Sequence, residues 1–92
     1  MSQYRFDAHT ANGNKVEVLV GWDRVLAYFF MVIDADRDPP LYSNLYEPDF
    51  ASLTIEYFQS VLDRFGIEDV SLKPGTNARI YEQLMKDSGQ VR

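Results

Sequence analysis

"FFMVIDADRDPPLYSNLYEPD", residues 29–49, passes from an unbroken apolar stretch into alternating aspartates and then into a tyrosine-rich tail. It has three competing readings: the end of a membrane segment, a calcium loop, or a strand leaving a sheet. The apolar run, Val25 to Ile33, has nine residues, half of the roughly 18 that a membrane-crossing helix needs. Asp34, Asp36 and Asp38 stand at the first, third and fifth positions of an EF-hand-like loop. The sixth position, where a glycine must turn the chain, is Pro39, and the twelfth, where a bidentate glutamate belongs, is Leu45. No metal site is expected, and the aspartates read as a solvated loop that blunts strand ends. The strand reading remains.

Val25 to Asp34 is apolar at nearly every position, the pattern of a central strand with both faces at least partly covered. Upstream, Tyr4, Phe6 and Ala8 alternate with Arg5, Asp7 and His9. Val16, Val18, Val20 and Trp22 alternate with Glu17, Leu19 and Gly21, so each stretch reads as a strand with one core face. Asn12-Gly13 marks a hairpin, but a strict two-residue turn pairs Ala11 with Asn14 and turns the first apolar set away from the valines. Pairing Ala11 with Lys15 instead sets Ala8 by Val18, Phe6 by Val20 and Tyr4 by Trp22. An Asp23-Arg24 turn that pairs Trp22 with Val25 then aligns Val20 with Ala27, Val18 with Phe29 and Val16 with Met31. The other face of this strand carries Leu26, Tyr28, Phe30 and Val32. Beyond Pro39-Pro40, Leu41 to Tyr46 returns as a short fourth strand, with Leu41 and Leu45 inward and Tyr42, Asn44 and Tyr46 outward, flanking Phe30 and Val32.

The remainder is helical. Phe58, Val61, Leu62 and Phe65 recur at helical spacing from about Leu53 or Thr54, with Ser52 or Thr54 as N-cap and Gly66 as the stop. A second helix is expected from about Gly75 to Asp87, with Ala78, Tyr81, Leu84 and Met85 on one stripe and Gly89 beyond its end. The fold class is α+β: a three- to four-stranded antiparallel meander followed by two C-terminal helices, one domain over residues 1–92.

Composition narrows function mainly by exclusion. The chain is 46% hydrophobic and 25% charged, an ordinary globular balance. It has no cysteine, so disulfides, thiolate metal sites and a cysteine nucleophile are ruled out. Net charge is −5 and the nine basic residues are scattered singly, so no footprint for a nucleic-acid backbone exists. MSQYRFDAH lacks the basic start and apolar core of a signal peptide, and a cytoplasmic location is expected.

No catalytic constellation emerges. The single histidine, His9, falls on the polar face of an outer strand, where acid–base work would need a carboxylate such as Asp7 or Glu17 and a pocket. Nothing in the spacing of the nine aspartates and five glutamates favours a pair. Lys73-Pro74-Gly75-Thr76 lacks the spacing and the preceding strand of a phosphate loop and reads as a helix start.

"GWDR" (21–24) and "LYSNL" (41–45), with "YFQSVLDRFGI" (57–67) downstream, resemble a small family of uncharacterised bacterial proteins met in proteobacteria near plasmid and mobile-element genes. The resemblance covers most of the chain after Val16. It implies a small sheet followed by helices and assigns no activity. The family commonly carries proline after the arginine of its first box, where this chain has Val25.

The expected function is that of a noncatalytic protein-interaction module without cofactor. It contacts a protein partner, most simply a second copy of itself, through the face carrying Leu19, Leu26, Tyr28, Phe30, Val32, Tyr42 and Tyr46. Candidate contact residues are Trp22, Asp23, Arg24, Tyr28, Phe30, Tyr42, Asn44 and Tyr46. The first box reads as a hairpin end lying apart from the second. Three alternatives stand beside this reading: a small-molecule-binding or enzyme-accessory protein with a pocket between sheet and helices lined by Tyr57, Tyr81 and carboxylates; an acidic inhibitor that mimics nucleic acid toward a DNA-binding partner; and a monomer whose second helix packs on the aromatic face.

Overall fold

A computed structural model describes residues 2–76 and 79–89. Four strands, β1 (Ser2–His9), β2 (Lys15–Asp23), β3 (Tyr28–Ile33) and β4 (Tyr42–Ser43), pair antiparallel in chain order. Two helices follow, α1 (Ile55–Arg64) and α2 (Ile80–Asp87), and short 3-10 helices at Asn44–Tyr46 and Phe50–Ser52 fill the link between β4 and α1. This is the α+β meander that the periodicity predicts.

Parity holds in the first hairpin, but the register slides by two residues. Tyr4 pairs with Val20, Phe6 with Val18 and Ala8 with Val16, so both apolar sets share one face as expected. Ala11 causes the slip. Its amide donates to the Phe65 carbonyl at the end of α1 (3.0 Å), and Thr10 closes the ladder instead with its N–H on the Asn14 carbonyl (3.0 Å). The second hairpin also keeps its parity and slides further: Val20 pairs with Met31 rather than Ala27, and Trp22 with Phe29 rather than Val25. Asp23 is responsible. Its Oδ1 accepts the N–H groups of both Val25 and Leu26 (3.0 Å each), Ala27 N–H donates to the Asp23 carbonyl (2.7 Å), and Ala27 takes φ 59°. A side chain capping nearby amides competes with the ladder. Residues 24–27 are therefore a turn, with Val25 and Leu26 90% and 60% exposed, and β3 starts only at Tyr28.

β4 departs in parity itself. Val32 pairs with Ser43 and Ile33 with Tyr42, which turns Tyr42 to the core side, where it is buried. Ser43 Oγ accepts the Leu45 N–H (3.2 Å) and starts a 3-10 helix, so alternation ends after two residues. Leu45, expected inward, is 63% exposed, and Asn44, expected outward, is buried.

α1 starts as its sequence says. Thr54 Oγ1 accepts the Tyr57 N–H (3.1 Å), and Gly66 takes φ 70° just past the end. Its buried stripe, Ile55, Phe58, Val61 and Leu62, meets Val18, Val20, Met31 and Ile33 in one cluster. Phe58, Leu62, Met31 and Ile33 are fully buried, each contributing about 1.5–3 kcal/mol of transfer free energy. α2 begins at Ile80 rather than Gly75, and the expected stripe position Ala78 lies outside the described residues. Ile80 and Leu84 join the same cluster as Phe58 and Val20, so both helices cover one side of the sheet. The arrangement with α2 over the aromatic face is thereby corrected. Ile67, Val70 and Leu72, in the irregular link after α1, are also core, and Gln59 Oε1 holds that link by accepting the Leu72 N–H (2.7 Å).

Candidate protein-docking face

Antiparallel pairing aligns side chains across strands on a common face. On the side away from the helices, Leu19 lies opposite Val32, and Gly21 opposite Phe30. Gly21 has a specific role there, because a Cβ at this position would stand 2.6 Å from Phe30 Cζ and 2.1 Å from the Ser2 carbonyl oxygen. The missing side chain is the seat on which the Phe30 ring lies. Tyr28 stands edge-on to Phe50 (centroids 5.8 Å, 88°), which brings the 3-10 helix Phe50–Ser52 against the rim. Leu45 projects at the β4 end beside Ser43 and Asn44, and a shallow hollow of about 260 Å³ runs between these residues and Tyr28, Phe30 and Val32. Asn44 is 2% exposed, and its Nδ2 has no acceptor among the described residues. Leu19, Tyr28, Phe30 and Val32 are half-buried, and neither α1 nor α2 overlies them.

The predicted contact residues divide. Tyr28 and Phe30 form this face with Leu19 and Val32, and Asp23 sits on its rim as the turn cap. Trp22 faces the opposite way, edge-on to Phe29 (4.8 Å) at the end of the helix-side core, and Arg24 lies exposed in the turn. The Leu26 and Tyr42 expected on the open face are not there: Leu26 belongs to the turn, and Tyr42 packs on the helix side near Phe65 (6.4 Å). Tyr46 is exposed at the edge, where its hydroxyl donates to the Pro40 carbonyl (2.9 Å) and its ring stands against Tyr42 (6.3 Å). Leu45 and Phe50 are the residues beside this face that periodicity misses, since both sit in 3-10 turns; Ser43, two residues ahead of the Leu45-Tyr46 pair, is the only local sign.

The polar groups whose titration is displaced serve as ties within the fold. Glu47 accepts hydroxyl hydrogens from Tyr57 (2.7 Å) and Tyr42 (2.9 Å), which hold its carboxyl below the usual range. Burial, then the Glu47 carboxylate, pushes the Tyr42 hydroxyl well up. This clamp fastens the β4 exit to α1. At the other end the Tyr4 hydroxyl donates to Asp87, joining β1 to α2. Burial opposes the charge on Asp87, but hydrogen bonds from Tyr4, Ser2 and Gln83, with the nearby Lys86 charge, together outweigh it and keep that carboxyl low, while burial and then Asp87 raise Tyr4. His9 partners neither Asp7 nor Glu17. Its backbone N–H and its Nδ1 lie 2.7 and 3.4 Å from the same Asp69 oxygen, both residues exposed, with no pocket around them. Among the described residues no three His, Asp or Glu side chains converge in a metal-binding group, and no helix is long and apolar enough to cross a membrane.

The two sequence boxes are local devices in this fold. GWDR is the end of β2 with its Asp23-capped turn, and LYSNL is the β4 bridge with its Ser43-capped 3-10 helix. Comparison with protein-family models, with curated proteins and with solved structures yields no match to this chain.

Proposed function

We propose that this chain is a noncatalytic protein-interaction module that docks a protein, a second copy or another partner, on the open face of its sheet. One observation carries the reading: both helices pack on the same side, leaving Leu19, Tyr28, Phe30 and Val32, with Leu45 and Phe50 beside them, covered by neither α1 nor α2. Aromatic and aliphatic side chains gathered on a flat patch within a polar rim have the composition of interface centres. The noncatalytic part of the reading rests on the use of the displaced carboxyl and hydroxyl groups, which bond one another across elements instead of facing a cleft.

The test is site-specific photo-cross-linking in the native host. A photoreactive residue in place of Val32 should capture a discrete protein species. The same residue in place of Val25, which is 90% exposed but sits in the turn, should not. Equal capture from both positions, or none from either, would sink the proposal.

A further inference from the structure

We propose that two copies of this chain pair through the outer edge of β1, at Arg5 and Asp7, antiparallel about a two-fold axis at Phe6, joining their sheets into one. β1 is an outer strand of the sheet and runs from Ser2 to His9 without a bulge or a proline, two of the devices that blunt such edges, so the charges of Arg5 and Asp7 and the Asp69 cap on His9 are what mark this edge. Its backbone direction follows from its last rung. Thr10 N–H bonds Asn14 across the ladder, so by antiparallel alternation Phe6 and Ala8 turn their backbone groups toward β2, and Arg5, Asp7 and His9 turn theirs outward. His9 agrees, since its outward N–H is taken by the Asp69 carboxylate (2.7 Å). The backbone groups of Arg5 and Asp7 have no such cap among the described residues.

The side chains select the partner and the register. Asp7 lies directly opposite Glu17, a like-charged cross-strand pair that destabilises a sheet. Arg5 reaches diagonally to Glu17 (2.8 Å), and Asp7 has no ion-pair partner among the described residues. The missing cation is supplied by the strand itself. Pairing about Phe6 sets each copy's Arg5 opposite the other's Asp7, and each of these two pairs exchanges both backbone hydrogen bonds. Centring on Arg5 or Asp7 opposes like charges, and centring on Ala8 sets Arg5 opposite Ala11 and forms no Arg5–Asp7 pair; about Phe6 the His9 amide that Asp69 holds falls opposite Gln3, outside the two Arg5–Asp7 pairs. On the helix side the two Phe6 rings meet at the axis. They are half-buried and border an open groove of about 740 Å³ between β1 and the Ile80 and Met85 side chains of α2. The open face is not covered by this pairing, so the inference does not rest on the docking reading above.

Light scattering after size exclusion should give twice the 10.6 kDa protomer mass. Arg5→Asp and Asp7→Arg should each weaken self-association by about tenfold or more, because both ion pairs become repulsive. An equimolar mixture of the two variants should re-form a dimer, and the double variant Arg5→Asp/Asp7→Arg should dimerise with itself. Asp7→Pro removes an outward N–H together with the carboxylate that pairs with Arg5 and leaves the ladder to β2 intact, and it should be a folded monomer, with fold read by circular dichroism and mass by light scattering. A monomeric parent chain at submillimolar concentration would overturn the proposal. So would single variants that stay dimeric, a mixture that does not re-associate, or a dimer dissolved by Phe30→Asp and untouched by the charge exchanges.

Discussion

Gly21→Ala measures directly how the open face is built. The new Cβ would lie 2.6 and 2.9 Å from Phe30 Cζ and Cε2 and 2.1 Å from the Ser2 carbonyl oxygen, all closer than real Cβ contacts. The ring can swing off the sheet, whereas the carbonyl moves only with the end of β1. Overpacking of this kind costs about 1–3 kcal/mol, and for a domain of this size each kcal/mol lowers Tm by roughly 4–8 °C. Part of that cost belongs to the ring and part to the backbone. In a Phe30→Ala background the ring contact is gone, so Gly21→Ala should cost measurably less, leaving the Ser2 share. Urea unfolding of the two single variants and the double variant gives the coupling free energy. A coupling within about 0.3–0.5 kcal/mol of zero, the range in which independent sites add, would show that Phe30 does not rest on Gly21 and would refute this description of the face.

Neighbouring residues of β3 should respond in opposite ways to a charge. Met31→Asp places a carboxylate in a fully buried site and should remove about 4–5 kcal/mol or more, close to the whole stability of a small domain, whereas Phe30→Asp on the half-buried outer face should cost on the order of 1 kcal/mol; similar losses by chemical denaturation would mean that the sheet does not divide into a core face and a free one. The clamp on Glu47 predicts a pH dependence. Its carboxyl is held below the ordinary value of 4.5, first by the Tyr57 hydroxyl and then by Tyr42, so its contribution is fully present above that value and is lost as pH falls through the lower folded one. Tyr57→Phe should therefore destabilise most near neutrality, and the gap from the parent should narrow as urea unfolding is repeated toward pH 3, about a unit below an ordinary glutamate; a constant gap would separate Tyr57 from Glu47. The charge-exchange pair at Arg5 and Asp7 supplies the remaining prediction, in which each variant is monomeric alone and dimeric in the mixture.

Two kinds of information were legible in the sequence to different degrees. Alternation at Tyr4, Phe6 and Ala8 and at Val16, Val18 and Val20 correctly assigns faces in the first two hairpins, because a strand has only two faces and burial chooses between them. Register depends on turn length, and turn length here is set by bonds that periodicity does not carry: Ala11 to the Phe65 carbonyl, a contact between distant segments, and Asp23 Oδ1 to two amides. β4 fails for a local reason. Ser43 caps a 3-10 helix, so the alternation extended from Leu41 to Tyr46 has no strand to live on, and Tyr42 and Leu45 exchange sides. In α1, the Thr54 cap and the Gly66 stop act through short-range chemistry and are found where expected. The buried link carrying Ile67, Val70 and Leu72 has neither period and is recognisable only once α1 and the sheet stand on either side of it. For the candidate face, Leu19 follows from β2 alternation and Tyr28, Phe30 and Val32 from β3 alternation, whereas Leu45 and Phe50 arrive through 3-10 turns.

The most direct measurement is the cross-linking yield from a photoreactive residue at position 32, compared between the parent chain and a Phe30→Asp background in the native host. Phe30 lies between Tyr28 and Val32 on the face that neither helix covers, and a buried charge without a partner disrupts an apolar interface centre. The captured protein species should disappear in the Phe30→Asp chain while its circular dichroism spectrum and cooperative unfolding persist. Undiminished capture in a folded Phe30→Asp chain would contradict the assignment of this sheet face as the docking surface.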